Sequence, residues 1–143
     1  MNKTLLLAAC LSAATAFAHA NDIKARQQYM KEWGGATKKM AAIIKKSDAQ
    51  SFPAAEFAAL AAQIQQNANA PWQHYPAGSN GRGSDATAAV WEQPQQFQAA
   101  IQRFSQAANN LHTAAQTGRF DAVKAPFGQL GESCKACHKT FKD

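Results

Sequence analysis

The strongest constraint on what this chain can fold into lies close to its C-terminus, in Cys134-Lys135-Ala136-Cys137-His138. Two thiols three positions apart, followed directly by a histidine, form the attachment pattern for a covalent c-type haem. The spacing has a chemical reason. The cysteines add across vinyl groups on neighbouring corners of the porphyrin, and one helical turn separates two sulfurs by the right distance. The adjacent histidine then reaches the iron with an imidazole nitrogen, as the proximal ligand. A dithiol redox pair of the thioredoxin type would instead open a helix after a strand, and this motif ends a helical chain. Everything else can be read as a box around an apolar macrocycle.

The chain begins like an export signal. Met1-Asn2-Lys3 is a short charged start, Thr4 to Phe17 is apolar, and Ala18-His19-Ala20 has the small-x-small form of a cleavage site. Residues 1–20 are therefore read as a signal peptide that is removed. Residues 21–143 are read as the mature domain, with the periplasm as its address. Leu7-Ala8-Ala9-Cys10 has the form of a lipoprotein box, but Cys10 follows Lys3 too closely to leave a full apolar region. Of the three cysteines, cleavage leaves only Cys134 and Cys137, so no disulfide framework is expected despite the oxidising compartment. The formal net charge of +6 at pH 7 comes from scattered basic residues, Lys3 among them. Without interleaved aromatics they do not form a nucleic-acid surface. Solubility and weak steering of an acidic partner account for them.

Four helical segments cover nearly all of the mature sequence. In the first, from Asp22 to Lys46, Ile23, Arg26, Met30, Trp33, Thr37, Met40 and Ile44 recur at spacings of three and four. Arg26 and Thr37 are polar members of that seam. Gly34-Gly35 interrupts good helix formers at a cost of roughly 1 kcal/mol per glycine, and a close approach of a neighbouring backbone would compensate. Pro53 opens a second helix with Phe57, Leu60, Ala61 and Ile64 on one face. Between Asn69 and Ala89 no period survives, and Pro71, Pro76, Gly78, Gly81 and Gly83 mark a long loop. Pro94 opens a third helix whose seam is Phe97, Ile101, Phe104, Ala108, Leu111 and Ala115, with Gly118 as its cap. The fourth, with Asp121 as N-cap, carries Phe120, Val123, Phe127, Leu130, Cys134, Cys137 and Phe141 in one line. Pro126 is expected to kink this helix or delay its start. The prediction is an all-α chain: an antiparallel four-helix bundle with one long loop between helices two and three.

These elements together resemble the cytochrome c′ family, the class II c-type cytochromes, which attach haem near the C-terminus of a four-helix bundle. The residues that carry the resemblance are Arg26-Gln27-x-x-Met30, the stretch from Gly78-Ser79 through Asp85-Ala86 to Val90-Trp91, Phe97, and Cys134-Lys135-Ala136-Cys137-His138. The resemblance implies one covalent haem c, with thioether bonds at Cys134 and Cys137 and the iron held by His138. It sets Arg26 and Gln27 beside the haem propionates and Asp85 at the haem edge. For Arg26, snorkelling to solvent is the other reading. The family usually has an aromatic residue and then arginine after the histidine; this chain has Phe141 and Lys142. Members are often homodimers through their first two helices, so a homodimer is possible here.

In the family this chain resembles, function turns on the opposite face of the iron, and the resemblance puts Met30 there. A thioether at Met30 can ligate the iron and close the site, which makes the chain a single-electron carrier serving periplasmic redox partner proteins. In the alternative, Met30 packs without ligating, and a five-coordinate iron binds nitric oxide or carbon monoxide. Met40 and Trp33, Trp72 and Trp91 are read as packing, His74 as a surface residue of the loop, and His112 as a partly exposed, hydrogen-bonded residue rather than a ligand. No nucleophile–base pair or carboxylate dyad points to an enzyme.

Overall fold

The computed structural model describes the backbone of residues 3–143 and the side chains of residues 19–143. The signal-peptide reading of residues 1–20, with the Cys10 box, therefore falls almost wholly outside the described side chains. The helices are α1 (Lys3–Lys46), α2 (Ala54–Gln66), α3 (Ala89–Glu92), α4 (Pro94–Ala115) and α5 (Phe120–Phe141), with a 3₁₀ turn at Ala70–His74. Among the described residues there is no strand, only an isolated antiparallel bridge between Ala86 and Lys142. No described helix is long and apolar enough to cross a membrane.

The four long helices form the expected bundle. Each contributes its three-four seam to one core, in which Phe57, Met40, Ile64, Leu111, Leu130 and Val123 are sealed from solvent. Each such side chain stabilises the fold by about 1.5–3 kcal/mol. The connection from α1 to α2 is closed by Asp48, whose Oδ1 accepts hydrogen bonds from the Gln50 and Ser51 amides at 3.0 and 2.9 Å. These bonds and that of the Ser51 hydroxyl hold the carboxyl below its ordinary range. Gly118, at φ +66°, turns the chain from α4 into α5.

α4 packs along both α2 and α5, and α1 packs along α2, but α1 and α5 barely touch. That gap positions the site. The long connection from α2 to α4 crosses one end of it and is more ordered than its composition implies. It contains the 3₁₀ turn and α3, and a second small core gathers Val90, Phe97, Ala100, Ile101 and Phe141 behind it. The end of α5 pins the other side of this connection: the Thr87 amide donates to the Phe141 carbonyl at 3.1 Å and the Asp143 amide to the Asp85 carbonyl at 2.9 Å.

Three local expectations need correction. A Cβ built at Gly34 or Gly35 would meet nothing within 4 Å, so no neighbouring backbone compensates for these glycines. Asp121 is not the N-cap of α5. Arg119 takes that place in an extended conformation, with Asp121 in the first turn, where its charge favours the helix dipole. Pro126 does not delay α5, which runs through it from Phe120.

Candidate functional site

Between α1, α5 and the long connection lies a cavity of about 470 Å³, within the range of small-molecule and cofactor pockets. All seven residues singled out from the sequence line it: Arg26, Gln27, Met30, Asp85, Cys134, Cys137 and His138. They come from three separate stretches of chain. α1 supplies Arg26 and Met30 from its seam and Gln27 from beside it, the loop supplies Asp85, and the last two turns of α5 supply the thiols and the imidazole. Phe97, Ala100 and Phe104 of α4 and Trp33, Trp72 and Tyr75 complete a largely aromatic wall.

The α5 side carries the reactive groups. Cys134 and Cys137 are free and partly buried. Burial pushes both thiols above their usual range; at Cys137 the neighbouring Cys134 adds to the rise and Arg103 opposes it. They are therefore kept as S–H, the form that adds whole across a vinyl group. Burial, and then Lys142, push the His138 imidazole below its ordinary value. Its neutral, metal-binding form thus persists to lower pH. An apolar slot with two protonated thiols and a neutral imidazole along one wall suits a haem in donor chemistry, cavity size and lining alike.

Arg26 is only 3 % exposed, which removes the snorkelling alternative. One terminal nitrogen donates to the His74 carbonyl and the Ser79 hydroxyl, both at 2.8 Å. The other donates to the Ser79 carbonyl at 2.6 Å and the Ser84 hydroxyl at 2.7 Å. Gln27 adds a bond from Nε2 to the Gly83 carbonyl at 2.8 Å. This pair therefore grips the loop that carries Asp85, a role that sequence reading did not assign to it. Such a loop needs backbone freedom at Gly78 and Gly83, at φ +82° and +89°, to turn its carbonyls inward. No carboxylate contacts the guanidinium among the described residues. Asp22, which favours its charge from a distance, is held by His74 Nδ1 at 2.8 Å.

His74 is thus a paired, partly buried residue rather than a free surface histidine. His112 is not on the cavity wall; its Nδ1 is sealed without a partner. Met40 is fully buried in the core. Trp72 and Trp91 have their indole N–H groups bonded to backbone carbonyls at Ala68 and at Tyr75 and Pro76, as expected of packing residues. Tyr75 escaped the sequence reading because it sits in the aperiodic loop; the aromatic cluster Trp72, Tyr75 and Trp91 within that loop was the available signal.

Comparison with known proteins gives a consistent picture. The family model described as Cytochrome C′ matches residues 21–142. The cytochrome c′ of Rhodospirillum rubrum is 33% identical over 98% of both chains. A cytochrome c-556 of Agrobacterium fabrum is 34% identical over 96% of this chain and 90% of its own. Among solved structures, cytochrome c′ from Rubrivivax gelatinosus superposes with a TM-score of 0.79 at 29% identity, over 85% of this chain and 94% of its own. Two variants of cytochrome c prime from Alcaligenes xylosoxidans, one a nitric oxide complex and one with carbon monoxide bound, give 0.79 at 26% identity, over 87% of this chain and 95% and 96% of theirs. A further cytochrome c′ structure, described by its ligand-controlled dimer dissociation, gives 0.80 at 26% identity over 87% of this chain and 95% of its own.

Proposed function

The chain belongs to the cytochrome c′ family, whose members carry one covalently bound haem c with its iron, and from that premise we propose a gas-binding haem protein. In this reading Cys134 and Cys137 would hold the haem by thioether bonds, His138 would give its iron an imidazole nitrogen, and that iron could bind nitric oxide or carbon monoxide. The haem supplies the iron centre. The chain would supply attachment, an imidazole nitrogen and an apolar wall that excludes water. The observation that carries the reading is the similarity, over most of the chain, to structures with these two gases bound. The wall supports it, since Met30 sits among Trp33, Trp72, Phe97 and Phe104 and packs against the core.

Met30 also supports a second reading. It lines the same cavity as His138, so its thioether could also hold the iron, as an electron carrier would require. The visible spectrum of the ferrous protein, with and without carbon monoxide, separates the two. A high-spin spectrum that shifts on adding the gas is expected; a low-spin spectrum that ignores it would overturn the open-site reading. Met30→Ala should leave a high-spin spectrum high-spin, whereas a ligating Met30 would show itself by a change from low to high spin.

The leader is proposed to send the chain to the periplasm and to be removed after Ala20. Intact mass of the exported protein should equal residues 21–143 plus one haem, and retention of residues 1–20 would reject the cleavage. Self-association is proposed by analogy with the dimer named above. Light scattering with and without carbon monoxide tests it, and a monomer under both conditions would refute it.

A further inference from the structure

Tyr75 is the one phenol on the cavity wall among the described residues, and nothing above gives it a role. Its ring is fixed from several sides. The Arg26 guanidinium lies 4.4 Å from the ring centre, and Phe97 packs edge-on at 5.2 Å. Trp72 stacks at 6.2 Å, and the Tyr75 carbonyl accepts from the Trp91 indole at 3.1 Å. Such a ring has no freedom to seek a partner for its hydroxyl, so the hydroxyl's direction is built in. The sealed polar atoms without partners among the described residues are Trp33 Nε1 and His112 Nδ1. The Tyr75 oxygen is neither sealed nor bonded to a described protein group, while its side chain lines the cavity.

Among the described residues, no anion contacts the corner around Arg26. Arg26 is buried and bonded only to neutral acceptors. Asp22 is held by His74, and Asp85 faces Lys142 at 3.9 Å. A buried cation stacked on the ring of a phenol whose O–H has no described protein partner favours a carboxylate brought by whatever fills the cavity. Away from this corner the wall is dominated by Met30, Trp33, Phe97 and Phe104, which suit the macrocycle. We propose that the Tyr75 hydroxyl donates a hydrogen bond to a carboxylate of the haem and so fixes how the haem is seated. Tyr75 is a binding residue in this account, additional to Arg26 and Gln27, and its assignment rests on the cavity being the haem site.

The test is Tyr75→Phe in the haem-loaded protein, which keeps the ring and its packing and removes only the donor. Resonance Raman spectra of the ferrous and carbon monoxide forms read both possible acceptors. The band for bending of the haem carboxylates should move to lower frequency, with the carbon monoxide stretch unchanged. Tyr29→Phe, which alters a ring stacked on His74, should move neither. A shifted carbon monoxide stretch with an unmoved carboxylate band would assign the donor to the iron-bound gas and overturn the proposal. So would two unmoved bands. Lack of a haem absorption band in the unsubstituted protein would overturn the haem reading itself, an outcome distinct from either of these.

Discussion

Arg26 lies on the apolar seam of α1, yet everything that holds it is remote in sequence. Its place on an apolar seam marked it as exceptional, but the acceptors that hold it lie some fifty residues away, at His74, Ser79 and Ser84. Lysine keeps the charge and loses the planar fork that reaches three residues at once. Arg26→Lys is therefore expected to lower folding stability by about 3 kcal/mol, read from denaturant midpoints. It should also speed tryptic cleavage after Arg82, which is exposed in the loop that Arg26 grips. Unchanged cleavage would mean that the loop holds itself. Tyr75 makes a separate prediction at high pH. Burial raises its phenol from 10.0 to about 12. A raised folded value means that its contribution is fully present below pH 10 and is lost as pH rises through 12, because the unfolded chain releases the proton first. Tyr75→Phe should flatten the fall in stability across that window, measured as the denaturation midpoint against pH.

At the level of elements, the long helices were legible because their apolar residues repeat at three and four, and burial follows that period wherever a neighbour is available. Cys134 and Cys137 were legible as cavity residues for the same reason, since they continue the line of Val123 and Leu130. What did not show was whatever depends on partners remote in sequence. The 3₁₀ turn and α3 are short and held by tertiary contacts, so they leave no period, and Tyr75 was hidden with them. Gly34-Gly35 misled because an unfavourable pair invites a structural reason, and here there is open space on an exposed helix face. Gly34→Ala and Gly35→Ala should each stabilise α1 by about 1 kcal/mol, seen as higher thermal midpoints. Gly118→Ala should do the reverse by about 1 kcal/mol. Its Cβ would meet only Ala54 Cβ, at 3.8 Å, so the penalty comes from the left-handed backbone at φ +66° and not from crowding. If Gly118→Ala proved neutral, the turn into α5 would have to relax freely.

For the molecule as a whole, the bundle has only three well-packed helix pairs. α1 meets α2, α2 meets α4 and α4 meets α5, but the pairing of α1 with α5 that would close the ring is nearly absent. Its place is taken by the cavity of about 470 Å³. At about 24 cal/mol per Å³ of void, leaving such a space empty would cost on the order of 10 kcal/mol, comparable with the whole stability of a domain this size. Water entering through the open side reduces that figure but cannot replace the lost packing on Trp33, Phe97 and Phe104. On the proposed reading, the haem would serve as the fourth contact of the bundle as well as its functional centre. A chain unable to attach it, Cys134→Ser with Cys137→Ser, should keep its helices but lose fixed packing where the haem would sit. Far-ultraviolet circular dichroism should stay near that of the haem-loaded protein, while near-ultraviolet signals from the tryptophans collapse and a hydrophobic dye binds. Amide exchange should then accelerate in α1 around Met30 and at the end of α5, before it does so in the α2–α4 pair. Uniform protection across all four long helices in that variant would show that the bundle closes without its cofactor, and would break the link drawn between the α1–α5 gap and haem.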